Sequence, residues 1–416
     1  MTISISSRRD AEQLDLADPL ASLRDLFVLP EGVIYLDGNS LGALAKSVPA
    51  RMQRAVEQEW GQGLIRSWND ADWYPAPFRV GATIAALIGA QADEVVVCDS
   101  TSVNLFKVMI AAARMQPGRS TIVADSGNFP TNAYITSEVA RFAGATVLFV
   151  EQSEVAAAID SAGSDLAFVQ LTEVNFKTAE LYDMAAITAQ VHAYGGLAVW
   201  DLCHSAGVLP VDLRGCNADF AVGCTYKYLN GGPGSPAFVM VAERHLAAVD
   251  QPLPGWHGHV HPFDFAQTFQ PDPGIGRMLT GTAPQLGLLA LEAALQVFDG
   301  VDMHAVRCKS ISLTDLFITL IDVELDGHGF AVVSPRDGAR RGSHVSLSHA
   351  DAYPITQALI AKGVIGDFRA PDLLRFGFSP LYSSHAEVWD AVATLRRLME
   401  TGCWDAPSFH ARKLVT

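Results

Sequence analysis

The sequence predicts an α/β protein whose large domain is built on a mostly parallel sheet, and three observations carry that expectation. From about residue 78 onward, short apolar runs alternate with helical stretches, the rhythm of strands joined by helices that cover both faces of a sheet. The chain has 416 residues, 49% hydrophobic and 18% charged, enough for a large core and more than one domain. Beyond residue 285 the rhythm changes to long helices with a few strands, the signature of a smaller α+β C-terminal domain.

Residues 11–29 carry an amphipathic helical pattern that Pro19 splits into two short pieces. Gly32–Gly42 reads as a short strand running into a glycine-rich loop, where Asn39 and Ser40 either offer polar groups to a ligand or simply shape a turn. A helix is expected over 48–61, stopping at Gly61 and Gly63. An aromatic-rich stretch with Arg66, Trp68, Trp73 and Tyr74 follows, interrupted by Pro75 and Pro77. The alternation then gives helices at 78–89, 103–115, 131–143, 153–161 and 183–194. Its strands fall at 94–98, 120–125, 145–150, 166–172, 196–200 and 220–222. Residues 250–285, rich in Pro, Gly, His and aromatics, break the rhythm, and a long irregular stretch inside a compact protein usually has a function. Helices at 286–299, 303–321, 352–363 and 385–400 and strands at 330–334, 343–348 and 372–378 complete the pattern, with irregular loops at 334–342 and 364–371. The expected organisation is a large domain over 60–285 and a small one over 286–416, with residues 1–59 packing beside it.

A formal net charge of −16 argues against a nucleic-acid partner. The six cysteines form no C-x-x-C pair or zinc-like cluster and read as reduced thiols of a cytoplasmic protein, with no metal site. Arg8-Arg9 resembles a twin-arginine signal, but Asp10, Glu12, Asp15 and Asp18 occupy the place of its hydrophobic stretch. No run is long and apolar enough to span a membrane, since Glu292 breaks the longest, Leu286–Phe298.

The chemistry centres on Lys227, at the end of the strand-like run Phe220–Val222 and just before a glycine-rich turn. Open α/β sheets place ligands there. A desolvated lysine is pushed toward the neutral, nucleophilic amine that condenses with an aldehyde cofactor. A lone lysine would read as a snorkelling surface residue. Asp201, however, closes the strand-like run Gly196–Trp200, and a carboxylate there can keep a pyridine nitrogen protonated so that the ring acts as an electron sink. Alone, Asp201 would read equally well as a helix N-cap. Together the two point to pyridoxal 5′-phosphate.

Trp200-Asp-Leu-Cys-His-Ser-Ala-Gly207 and Gly223-Cys-Thr-Tyr-Lys-Tyr-Leu-Asn-Gly-Gly-Pro-Gly234 resemble the kynureninase family. The resemblance extends from Tyr35-Leu-Asp-Gly-Asn-Ser-Leu-Gly42 to Arg375-Phe-Gly-Phe-Ser-Pro-Leu-Tyr382, nearly the whole chain. It implies the pyridoxal-phosphate-dependent transferase fold of aspartate aminotransferase, with a seven-stranded sheet. It implies hydrolysis of kynurenine, and of its 3-hydroxy form, to the anthranilate and alanine, in tryptophan degradation and pyridine nucleotide biosynthesis. It also implies a homodimer with the active site at the subunit interface.

Ser100, Thr101 and Ser102 lie between a strand and a helix, where hydroxyls and free N–H groups suit a phosphate or an ordinary N-cap. The resemblance assigns the cofactor phosphate to Ser100, Thr101 and Tyr226, and to Trp256 and Thr282 of the neighbouring subunit. It gives Tyr226 a proton-shuttling role, stacks Phe129 on the pyridine ring, and sets Asn132, Thr172 and His204 around it. Asp201 and His204 alone are too few ligands for a metal. Arg375, in an apolar strand, needs a partner: either an internal ion pair with Asp367 or a bidentate clamp on a substrate carboxylate, which the resemblance favours. Asn39 is placed with it on the substrate side, and Trp68 walls the pocket for the aromatic ring, implying a preference for unhydroxylated kynurenine.

The chain departs from the family where Asn132 replaces an aspartate, Cys203 an alanine, and Glu173 and Phe176 the His and Tyr of bacterial relatives. Rival readings are an aminotransferase, a cysteine desulfurase and a non-catalytic relative that keeps the cofactor fold. The desulfurase needs a nucleophilic cysteine on a mobile loop, and the stretches 334–342 and 364–371 hold none.

Overall fold

A seven-stranded sheet forms the larger of two units, Ser47–Asn175 with Tyr182–Leu295. Its strands are β1 (Val95–Val97), β2 (Thr121–Asp125), β3 (Thr146–Val150), β4 (Leu166–Thr172), β5 (Leu197–Asp201), β6 (Phe220–Gly223) and β7 (Phe238–Val241). They lie in the order β1-β7-β6-β5-β4-β2-β3. Neighbours from β6 to β3 are parallel, and β7 runs antiparallel to both β1 and β6. β1 therefore points the same way as the parallel set, and six strands end at one edge. β4, β5 and β6 bury every residue, as strands covered on both faces must. The expected parallel sheet is present; the sequence pattern did not mark β7. This computed structural model describes residues 7–413, and the leader reading at residues 1–6 lies outside them.

Helices α1 (Ala76–Leu87), α2 (Thr101–Met115), α3 (Pro130–Ala143), α4 (Val155–Ala162), α5 (Met184–Ala193) and α6 (Gln285–Leu295) belong to the same unit. One face of α2, with Leu105, Val108 and Met109, packs into a core with Ile122, Phe168, Val199 and Val222 from the strands. Gly144, left-handed at φ 66°, ends α3, a conformation that costs glycine little. The helix expected at 48–61 opens as an α-helix over Ser47–Arg54 and widens into π-helical turns over Ala55–Gly63. Segment 250–285 contains short 3-10 turns but no longer element.

The smaller unit comprises the described part of Met1–Lys46, Phe176–Leu181 and Gln296–Thr416. Its antiparallel sheet contains β8 (Ala331–Val332), β9 (His344–Ser348), β10 (Asp367–Arg369) and β11 (Leu373–Gly377) in the order β8-β9-β11-β10. Helices α7 (Met303–Glu324), α8 (Ala352–Ala361) and α9 (His385–Thr401) share a core with it, built on Leu313, Phe317, Ile355, Phe376, Val388 and Leu395. The stretch 364–371 was expected to be an irregular loop. It instead carries Val364–Ile365, paired in parallel with Ile34–Tyr35, and then β10. Those strands are too short for a periodic pattern to show.

Candidate active site

The carboxyl ends of the parallel strands carry the chemistry, because each strand stops where its backbone turns toward a helix or loop. Lys227 lies four residues past β6, half-buried, in a turn that folds back on itself. The Gly231 N–H donates to the Thr225 carbonyl at 2.9 Å, and the Asn230 N–H to that of Lys227 at 2.9 Å. Asn230, Gly232 and Gly234 take positive φ there. Lys227 Nζ lies 3.0 Å from His204 Nε2 and 5.9 Å from the centre of the Tyr226 ring. Burial, and after it the neighbouring Cys224 thiol, push the Tyr226 phenol up, keeping it protonated at neutral pH.

Asp201 is the last residue of β5, 3% exposed, and stands opposite Thr172 at the end of β4. Its two oxygens are held separately. Oδ1 accepts the Cys203 N–H at 2.8 Å, and Oδ2 accepts the Asn132 side-chain amide at 2.8 Å. The Asn132 amide also reaches Thr172 Oγ1 at 3.1 Å. Asn128 Oδ1 accepts from Thr172 Oγ1 at 2.5 Å, from Asn132 at 3.3 Å and from the Phe129 N–H at 2.7 Å. Asn132 is thus a neutral donor that orients Asp201 without adding charge. Phe129 caps α3, and the residue is 47% exposed. Asn128, a junction of this network, was not singled out from the sequence, because beside Phe129-Pro130 it reads only as a turn residue.

Ser100 caps α2, its hydroxyl accepting the Val103 N–H at 3.4 Å. Thr101 Oγ1 lies 3.8 Å from Cys203 Sγ, and the Cys224 N–H donates to that sulfur at 3.1 Å. The side-chain hydrogen bond with the Cys224 thiol, then burial, hold the Cys203 thiol well above its ordinary range, so it stays neutral. Through Cys203, the start of α2, the end of β5 and the turn holding Lys227 meet.

Trp68, Trp256 and Thr282 share another place, a cavity of about 640 Å³ also lined by Tyr74 and Phe263. Neither Lys227, Asp201 nor Phe129 lines it.

In the smaller unit Arg375 is 1% exposed on β11. Its Nε and Nη2 donate to the two oxygens of Asp367 at 2.9 and 2.5 Å, and its Nη1 to the Phe176 carbonyl at 2.6 Å. Nη2 also donates to Ser40 Oγ at 3.0 Å, and the Asn39 amide oxygen accepts from Nε at 2.9 Å. The internal partner considered for Arg375 is present, and it fixes the plane of the guanidinium. Burial pushes the Asp367 carboxyl up, but Arg375 and Arg369 outweigh it and hold it down. Asp37 moves the other way: burial, then Asp367, push its carboxyl up to about 7.

A family model described as the kynureninase C-terminal domain matches residues 306–395. A kynureninase of Burkholderia mallei (strain SAVP1) is 49% identical over 416 residues, covering 99% of this chain and 100% of that relative. One of Pseudomonas fluorescens is 49% identical over 419 residues, with the same coverage. The chain belongs to the kynureninase family. Residues 306–395, matched to the kynureninase C-terminal domain, include both Asp367 and Arg375. Among solved structures, the apo cysteine desulfurase of Thermococcus onnurineus superposes with a TM-score of 0.78 at 18% identity, covering 91% of this chain and 98% of that one. A C-DES mutant with glycine covalently linked to its PLP cofactor gives 0.78 at 16%, covering 90% and 98%. At these identities the likeness is one of fold, and it places this kynureninase-family chain in the pyridoxal-phosphate-dependent fold.

Proposed function

We infer that the protein hydrolyses L-kynurenine to anthranilate and L-alanine with pyridoxal 5′-phosphate, in tryptophan degradation. The observation that carries this is the end-to-end 49% identity to kynureninases. The residues fit the cofactor by the chemistry of their donors. A lysine amine, a buried carboxylate with both oxygens oriented, an exposed aromatic face and a hydroxyl-rich helix N-terminus all sit at one edge of one sheet. Lys227 would hold the aldehyde, Asp201 the ring nitrogen, Phe129 and His204 the ring faces, and Ser100, Thr101 and Tyr226 the phosphate.

When bound, the cofactor supplies an electron sink for charge developing on the substrate. Lys227 would also take the proton from the substrate's Cα and later return it. Asp201 would face the ring nitrogen, and the Asn132 amide and the Cys203 N–H fix its direction. Arg375 holds the α-carboxylate; its plane is set before substrate arrives, so less entropy is lost on binding. Water would add at the side-chain ketone carbon Cγ; the Cβ–Cγ bond would then break with its electron pair going to Cβ, which takes up a proton to give alanine, while the aryl acid leaves as anthranilate.

We propose further that the enzyme is a cytoplasmic homodimer. Support comes from the cavity shared by Trp256 and Thr282: Lys227 does not line it, and Trp256 is 40% exposed, as a side chain meant for a second copy would be. Trp68, read as an indole wall for the substrate's aromatic ring, favours kynurenine over the 3-hydroxylated substrate. Comparing kcat/KM for the two tests this, and a preference for the hydroxylated one sinks it. Among the described residues, no helix is long and apolar enough to cross a membrane.

Anthranilate fluorescence released from kynurenine tests the activity. Wild type should turn over, and Lys227→Ala should lose about a thousandfold or more in kcat. Transamination of amino acid and keto acid pairs without anthranilate release would reject the assignment.

A further inference from the structure

Lys107 is the most deeply buried charge in the larger unit that this chemistry leaves unused. It sits on α2, 0% exposed, and its ammonium makes three contacts: Asp99 Oδ2 at 2.7 Å, the Met278 carbonyl at 2.6 Å and Cys98 Sγ at 3.5 Å. A buried ammonium is retained only where its partners fully replace water. Asp99 immediately precedes Ser100 and takes φ +50°, a conformation uncommon for aspartate. Its carboxylate also accepts from Thr280 Oγ1 at 3.1 Å, and its carbonyl accepts the Ala237 N–H at 3.0 Å. Thr280 in turn accepts the His257 N–H on its carbonyl at 3.1 Å, and Gly255 lies so close to the Thr280 backbone that an added Cβ would come within 2.2 Å of its carbonyl oxygen. One ion pair therefore fixes both the residue opening the hydroxyl-rich start of α2 and the segment bearing Trp256 and Thr282.

We propose that Lys107, with Asp99 and Thr280, is a positioning group that shapes the phosphate cup and mounts it on the 255–282 segment. This rests on the cofactor reading above. In the homodimer, the same ion pair ties each subunit's own phosphate cup to the residues it lends its partner, so the two cofactor sites share one support. Neither Lys107 nor Asp99 touches the cofactor in this arrangement; they act through Ser100, Thr101 and the loop.

The test is cofactor titration of the apoprotein, followed by absorbance, with pyridoxal 5′-phosphate and with pyridoxal, which has the aldehyde but no phosphate. Lys107→Met should bind pyridoxal 5′-phosphate about tenfold or more weakly, the effect of losing one charge-assisted contact to the cup, while pyridoxal binds as in wild type. Lys107→Arg should recover part of the loss. Thr280→Val, which removes one hydroxyl, should show a smaller loss of the same selectivity, and it decides alone if Lys107→Met gives no folded protein. Unchanged affinity for pyridoxal 5′-phosphate, or equal weakening of both aldehydes, would overturn the proposal. Wild type that binds neither aldehyde would instead reject the cofactor reading itself.

Discussion

Two residues of the Arg375 cluster have measurable consequences. Asp37 faces Asp367, Arg375, Arg369, Ser40 and Tyr35, and its carboxyl sits near 7 rather than 3.8 because burial and the second carboxylate disfavour its charge. A carboxyl raised in this way prefers its proton in the native state, so its contribution to stability is full below 3.8 and is lost as pH rises through about 7. Asp37→Asn should flatten the fall in urea-unfolding free energy between pH 4 and pH 8 (about the window of that shift). Parallel profiles for the two proteins would refute this. Arg375→Lys keeps the charge but loses the fork that Asp367 and Asn39 orient. It should raise KM about tenfold while leaving the spectrum of bound cofactor unchanged.

Close approach between elements shows at Gly81 on α1. An added Cβ would come within 2.4 Å of the Val95 carbonyl oxygen and 2.9 Å of its carbon, both backbone atoms of β1. Backbone cannot swing aside as a side chain can, so the helix would have to move off the sheet. Gly81→Ala should cost about 3 kcal/mol by chemical denaturation, at the upper end for overpacking. Stability within 0.5 kcal/mol of wild type, about the spread of ordinary surface changes, would contradict it. Gly377 on β11 is also closely packed: an added Cβ would come within 1.7 Å of the Asn39 side-chain amide and would displace the side chain that meets Arg375.

For the whole molecule, the prediction concerns the proposed dimer. If Trp256 and Thr282 serve the partner's cofactor, Lys227→Ala and Trp256→Ala copies repair one another in mixed dimers. Each mixed dimer has one site with both residues intact and one with neither. Unfolding and refolding the two inactive variants together should restore about a quarter of wild-type anthranilate release, from half the dimers carrying one good site of two. No recovery, with sedimentation confirming mixed dimers, would place Trp256 at the site of its own chain.

By itself, the sequence determined the alternation of strands and helices, the end of β5 at Asp201 and the turn after β6 at Lys227, because these are written in local periodicity and in glycines adjacent to the residues they position. It also made Lys227 and Asp201 recognisable as a pair, since their chemistry is uncommon together. Tertiary structure alone decided what each group touches. Asn128 bonds Thr172 from 44 residues away, Lys107 holds a carbonyl 171 residues on, and Arg375 is held by Asp367 on β10, a strand of three residues with no periodic signal. Hydrogen bonds and ion pairs between distant segments depend on distance in space, which a linear pattern does not encode, and burial then makes those partners obligatory.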